Sequence, residues 1–166
     1  MANWQEYTEH SDENIKVFFG YYRFLSNFYP AKVYFDGLMY PSSETAYQAA
    51  KLLRDYREPF TQMSESDSKK AWRNNPPIAI IPNWDMHKYR VMDIIVYDKF
   101  TRNEDLKQKL IDTGDRYLEE TNHWKDTCWG VHYKTNEGNN WLGQILMEVR
   151  RLISLDISKN DLNVDK

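Results

Sequence analysis

The chain of 166 residues has a single cysteine, Cys128, only six glycines and no long hydrophobic run. One cysteine excludes an intramolecular disulfide. Neither Cys128 nor the four histidines (His10, His87, His123, His132) have the spacing of a structural zinc site, so neither a metal nor another cofactor is expected. The few glycines assemble no phosphate-cradling loop, dinucleotide fingerprint or nucleophile elbow. No window approaches the length of a membrane span, and Met1 to Tyr7 has neither the basic nor the apolar region of a leader. A reducing cytoplasm is the expected location, with no membrane partner. Positive charge is also short: 22 Lys and Arg against 25 Asp and Glu leave a net charge of -3. That balance argues against an overall basic footprint for duplex nucleic acid, while a local basic pocket stays open.

Aromatic residues are plentiful, at 15%, with 6 Trp and 12 Tyr, more than core filling requires, so some rings are expected to wall a ligand site. With 41% hydrophobic residues in 20.0 kDa, the chain can bury a core without staples. After a polar segment over 1–14, the run from Ile15 to Phe19 reads as a strand closed by Gly20. Lys32 to Phe35 reads as a second strand, ended by an Asp36-Gly37 turn. The two are expected to pair antiparallel, with Leu38, Met39 and Tyr40 continuing the meander. Between them Tyr21 to Pro30 has no regular period and reads as an aromatic loop. Ser42 or Ser43 caps a helix over 44–53, and Ser64 or Ser66 caps a short one over 67–73, stopped at Asn74-Asn-Pro-Pro77. Met92, Ile95, Val96 and Phe100 give 85–100 an inward face, and Leu106 and Leu110 do so for 104–112. A short strand over 117–120 precedes a last helix over 141–155, with Leu142, Ile145, Leu146, Val149 and Leu152 inward. The expected fold is one α+β domain over 15–155, mainly helical with a small antiparallel sheet, and a frayed tail over 156–166.

Glu44, Gln48 and Lys51 interrupt this ordinary pattern. At about 100° per residue, steps of four and seven return near the starting azimuth, so an acid, an amide and an amine share one helical face. That face looks either into solvent or into a polar pocket. A Glu in a first turn also serves capping alone, and a Lys commonly pairs with a surface acid. Asp126-Thr-Cys-Trp-Gly130 and the Gly/Asn/Trp stretch from Glu137 to Gly143 are the other unusual segments. Asp126 and Trp129 either bring a carboxylate and a flat face to one ligand or form a turn and a core anchor, and Asn140 either caps the last helix or joins them.

Read in order, Phe19-Gly20, Phe24-Leu-Ser-Asn-Phe-Tyr-Pro30, Gly37, Tyr40-Pro-Ser-Ser-Glu-Thr-Ala-Tyr-Gln-Ala-Ala-Lys51, Trp84, Arg90-Val-Met92 and Lys99-Phe100 form a series of blocks. It continues through Thr113-Gly-Asp115, Leu118-Glu-Glu120, Asp126, Trp129-Gly130 and Gly138-Asn-Asn-Trp-Leu-Gly143. Over roughly 17–153 the chain resembles the NADAR, or YbiA-like, family. The resemblance implies an N-glycosidase acting on a ribose C1–N bond. Its substrate is either a phosphoribosylamino-pyrimidine intermediate of riboflavin biosynthesis or ADP-ribosylated guanine in DNA or RNA. Breaking such a bond builds positive charge on the sugar. Glu44, Asp126 and Lys51 are therefore the expected catalytic groups, with Lys51 able to capture C1 as a Schiff base if its amine is neutral. Arg23, Ser26 and Asn27 are expected to hold phosphate, Trp84 or Trp129 to stack on the base, and Tyr47, Gln48 and Asn140 to contact substrate. The chain departs from the family pattern at Tyr21-Tyr-Arg23 and across Val131 to Glu137, which leaves the substrate open. The competing reading is a module that binds ADP-ribose or a nucleotide without turnover.

Overall fold

Local chemistry sets most element boundaries. Asp36 and Gly37 both hold positive φ, 47° and 82°, the geometry whose twist matches the strands of a two-residue hairpin. Ser42 and Ser64 each accept a hydrogen bond from the backbone N–H three residues on, opening two helices. The computed structural model describes the backbone of residues 10–164 and side chains as far as residue 156. Residues 1–9, which include the Met1 to Tyr7 segment and most of the expected polar stretch, lie outside the described residues, as do 165 and 166. The elements are β1 (Asn14–Lys16), β2 (Pro30–Phe35), β3 (Leu38–Ser42), α1 (Ser43–Ala50), α2 (Glu65–Ala71), α3 (Trp84–Arg102), α4 (Glu104–Ile111), β4 (Tyr117–Glu119), β5 (Thr121–Asn122), β6 (Val131–His132) and α5 (Trp141–Val164). Short 3-10 turns link several of them. The result is the expected mixture of helix and strand, and no described helix is long and apolar enough to cross a membrane.

The chain forms two compact units, one of residues 27–104 and one of the residues before and after that stretch. In the first, β2 and β3 form the antiparallel hairpin, Val33 opposite Tyr40 and Phe35 opposite Leu38. The hairpin packs with α1 and α3, and Met92, Ile95, Val96 and Phe100 of α3 are buried, as their spacing predicts. Lys99, on the same helix, is also fully buried, beside the Tyr29 and Phe100 rings. Past α1 the chain is stitched to a later segment: Ile81 N–H donates to the Lys51 carbonyl (2.8 Å), Leu53 N–H to the Ala79 carbonyl (2.7 Å), and Leu52 bridges Ile80.

The second unit corrects the expected pairing of the first strand. β1 lies parallel to β4, Ile15 opposite Leu118, and does not join the hairpin. Val17 has a φ of 66°, which turns the chain out of extended conformation and ends β1 before Phe18. The aromatic stretch that follows is not an irregular loop throughout, because Gly20–Leu25 winds into a 3-10 turn. β5 and β6 form a second short parallel pair, so among the described strands the antiparallel pair is the hairpin, with isolated antiparallel bridges linking His10 to Ile15 and Leu52 to Ile80. α5 packs on β4 and buries Leu142, Leu146, Val149 and Ile153, and its backbone continues to Val164.

The α5 to β4 contact is close enough that a β-carbon at Gly143 would collide with the Leu118 carbonyl oxygen. Gly143→Ala gains about 1 kcal/mol of helix propensity but should destabilise the protein by about 1–3 kcal/mol net through overpacking, read as a lowered denaturant midpoint.

Candidate active site

α1 follows β3 without a connecting residue, and Ser42 ends one and caps the other. Its Oγ accepts the Thr45 N–H at 3.2 Å and lies 2.8 Å from the Thr45 hydroxyl. Glu44 N–H donates to the Asn27 carbonyl at 3.0 Å, filling one of the donors a helix start leaves open. The Asn27 side-chain amide in turn donates to the Met92 sulfur at 3.3 Å. Every residue of α1 is buried, because Ala46, Ala49 and Ala50 let α2, α3 and the hairpin approach closely. Glu44 and Gln48 are therefore withdrawn from water, Lys51 at the end of the stripe is half-buried, and the three satisfy one another. Gln48 Nε2 donates to Glu44 Oε1 at 2.7 Å, and Lys51 Nζ donates to Gln48 Oε1 at 2.7 Å.

Aromatic rings enclose the amine end of this chain of bonds. Lys51 Nζ lies 4.5 Å from the Trp72 ring centre and 5.1 Å from that of Tyr47, while Arg73 stands 5.4 Å from the same Trp72 ring. Tyr47 packs against Trp84 with ring centres 5.4 Å apart at 59°. At the acid end, Lys69 of α2 brings Nζ to 3.7 Å from Glu44 Oε1 and 4.5 Å from the centre of the Phe28 ring.

These surroundings disturb both ionisable ends. Burial raises the Glu44 pKa above its ordinary value, against the pull of Lys69, the Gln48 hydrogen bond and Lys51. Burial brings Lys51 down to about 8; Glu44 opposes that shift, and Arg73 and Lys69 reinforce it. A carboxyl that resists ionisation, joined through an amide to an amine that sheds its proton near neutrality, supplies an acid or base and a nucleophile in one place.

The structure thus brings together five of the expected residues, Glu44, Tyr47, Gln48, Lys51 and Trp84, with Asn27 supporting Glu44 through its backbone. Arg23, Ser26, Asp126, Trp129 and Asn140 belong to the other unit. There Arg23 is exposed on the 3-10 turn, and its carbonyl accepts the Ser26 N–H. Asp126 Oδ1 accepts the backbone N–H groups of Cys128 (3.0 Å) and Trp129 (2.9 Å), an Asx turn. Asn140 is buried and ties the start of α5 to β4, donating to the Leu118 carbonyl (2.9 Å) and the Tyr117 hydroxyl (3.0 Å) and accepting from Glu120 N–H (3.1 Å). Sequence reasoning missed Phe28, Lys69, Trp72 and Arg73. A signal existed for three of them, since Lys69-Lys-Ala-Trp-Arg73 is a basic run around an aromatic in an acidic chain.

A NADAR domain profile matches residues 8–154. A riboflavin biosynthesis protein of Vibrio vulnificus is 38% identical over 132 residues, 76% of this chain and 34% of that protein, so the chain spans about a third of its length. N-glycosidase YbiA of Escherichia coli is 32% identical over 136 residues, covering 79% of this chain and 81% of that protein. The NMR structure of Escherichia coli YbiA superposes with a TM-score of 0.76 at 28% identity, covering 89% of this chain and 88% of that one.

Direct titration tests the electrostatics. By NMR of the lysine ε-methylene groups, Lys51 should titrate with a midpoint of about 8. Glu44→Gln should lower that midpoint further, because it removes the anionic neighbour that favours the ammonium. A midpoint at the ordinary lysine value of 10.5 would contradict the enclosure described above.

Proposed function

The chain belongs to the NADAR family, and on that premise we propose that it is an N-glycosidase that hydrolyses a ribose C1–N bond with Glu44 and Lys51 as its central groups. The observation that carries this reading is the hydrogen-bonded run Glu44, Gln48, Lys51, buried among aromatic rings. Departure of the nitrogen builds positive charge at C1, and a buried carboxylate stabilises that charge more strongly than one in water. Where the sugar is attached through an exocyclic amine, the ribose ring opens to an imine. The neutral Lys51 amine adds at C1 and the base nitrogen leaves with a proton. Water then hydrolyses the Lys51 Schiff base, returning the amine and freeing the sugar. With a pKa of about 8, about a fifth of Lys51 is neutral at pH 7.4. Burial thus outweighs the pull of Glu44 on the Lys51 ammonium.

We assign the substrate to the small phosphoribosylamine class and the protein to the cytoplasm. The net charge of -3 is unfavourable for broad capture of a nucleic acid, and the Vibrio relative's name refers to riboflavin biosynthesis. ADP-ribosylated guanine is the competing class, and parallel assays of base release from the two substrate types decide between them.

Borohydride added during turnover should add a sugar mass to wild type and none to Lys51→Ala. An absent adduct in wild type would leave direct displacement with Glu44 as the main group. Glu44→Gln, folded by its NMR spectrum, should lose about 10²–10⁴-fold in kcat/KM. For an amine nucleophile the pH profile should rise as Lys51 loses its proton at about 8. Undiminished turnover in Glu44→Gln would remove Glu44 from the mechanism.

A further inference from the structure

Lys69 stands between a buried acid and solvent. Its side chain is 49% exposed, that of Glu44 7%, and its Nζ is 3.7 Å from Glu44 Oε1. That separation is an ion pair but exceeds a hydrogen bond, and the other contact of the ammonium is the face of Phe28. Its flexible four-carbon stem can therefore swing without breaking a directional bond. Glu44, by contrast, stays fixed when Lys69 moves, because Gln48 holds Oε1 and the Asn27 carbonyl holds its backbone. The site also carries more positive charge than it uses: Lys51, Lys69 and Arg73 set against the one carboxylate of Glu44, in a chain whose net charge is -3. The charged groups acting on Glu44 come from α2, as Lys69, and from the end of α1, as Lys51, with Arg73 acting in turn on Lys51.

We propose that Lys69 exchanges partners when a phosphorylated substrate arrives, leaving Glu44 for the substrate phosphate, and that the buried carboxyl so released takes up a proton from solvent. In the free protein Lys69 is the largest charge favouring the Glu44 carboxylate. Burial already outweighs that pull, and removing it raises the Glu44 pKa further, so Glu44 holds a proton for the departing nitrogen and is left as the carboxylate beside C1 once that proton is given up. The proton then sits on the oxygen that Gln48 does not hold, ready for the departing nitrogen. Only a ligand bearing phosphate would arm the acid, so Lys69 would couple recognition of the anion to cleavage. The value of that coupling rests on the N-glycosidase reading, whereas the exchange itself does not require turnover.

The test uses the full chain labelled with ¹³C at the glutamate carboxyl carbons, the Glu44 signal being assigned with Glu44→Gln. Ribose 5-phosphate and ADP-ribose serve as separate probes, one carrying a phosphate monoester and the other a diphosphate. In wild type, saturation with at least one probe should raise the Glu44 midpoint by about one pH unit or more. The probe that does so at lower concentration identifies the preferred anion. In Lys69→Met the midpoint should start high, show no further rise, and be accompanied by about tenfold or greater loss of probe affinity. Lys69→Arg should retain both properties. A Glu44 midpoint unmoved by both probes in wild type, or wild-type affinity in Lys69→Met, overturns the proposal. A linked shift in a protein that releases no base would sustain the exchange and defeat the glycosidase reading. Cleavage without the shift would do the reverse.

Discussion

The enclosure of α1 governs the candidate site. Its alanines at 46, 49 and 50 bring neighbouring elements close enough to bury all eight residues, and a buried polar group is costly unless it finds a partner. Glu44, Gln48 and Lys51 have the spacing to partner one another, and two bonds of 2.7 Å show that they do. The amide is well suited to the middle position, since it donates at one end and accepts at the other. The carboxyl at one end and the amine at the other therefore fix the orientation of the Gln48 amide.

Such a site is held against its own electrostatic preference. Glu44 has a pKa raised in the folded state, so its contribution favours folding at low pH and is lost as pH rises through the folded value. Lys51 has a lowered pKa, so its contribution turns unfavourable as pH falls from 10.5 towards about 8 and stays so below. At neutral pH both groups oppose folding. The surrounding packing of α3, the hairpin and Phe60 has to offset them, a common arrangement where reactivity depends on perturbed ionisation.

Features set by neighbouring residues were legible in the sequence. The Ser42 cap, the Asp36-Gly37 hairpin, the buried face of α3 and the common face of Glu44, Gln48 and Lys51 all follow from spacings of a few residues. Features set by distant encounters were not. The parallel pairing of Ile15 with Leu118 joins strands a hundred residues apart, and Val17 at positive φ gives no sign of itself in a β-branched residue. Lys69, Trp72 and Arg73 read in the sequence as part of a short helix, because nothing local says that α2 packs against α1. Lys99 shows the same limit: its place on the inward face of α3 is plain from periodicity, yet lysine is a residue type one expects outside.

The stitching after α1 has a consequence of its own. Lys51 and Leu53 are joined through backbone bonds to Ile81 and Ala79, so the chain leaves and re-enters at one place. The excursion between them carries Lys69, Trp72 and Arg73, while the acid, the amide and the reactive amine stay behind on α1. On the proposed reading, chemistry and selectivity reside on separate pieces of chain. A cassette swapped between the two stitches would change the cationic and ring contacts offered to a ligand while leaving Glu44, Gln48 and Lys51 in place, a modular division through which one scaffold can diversify.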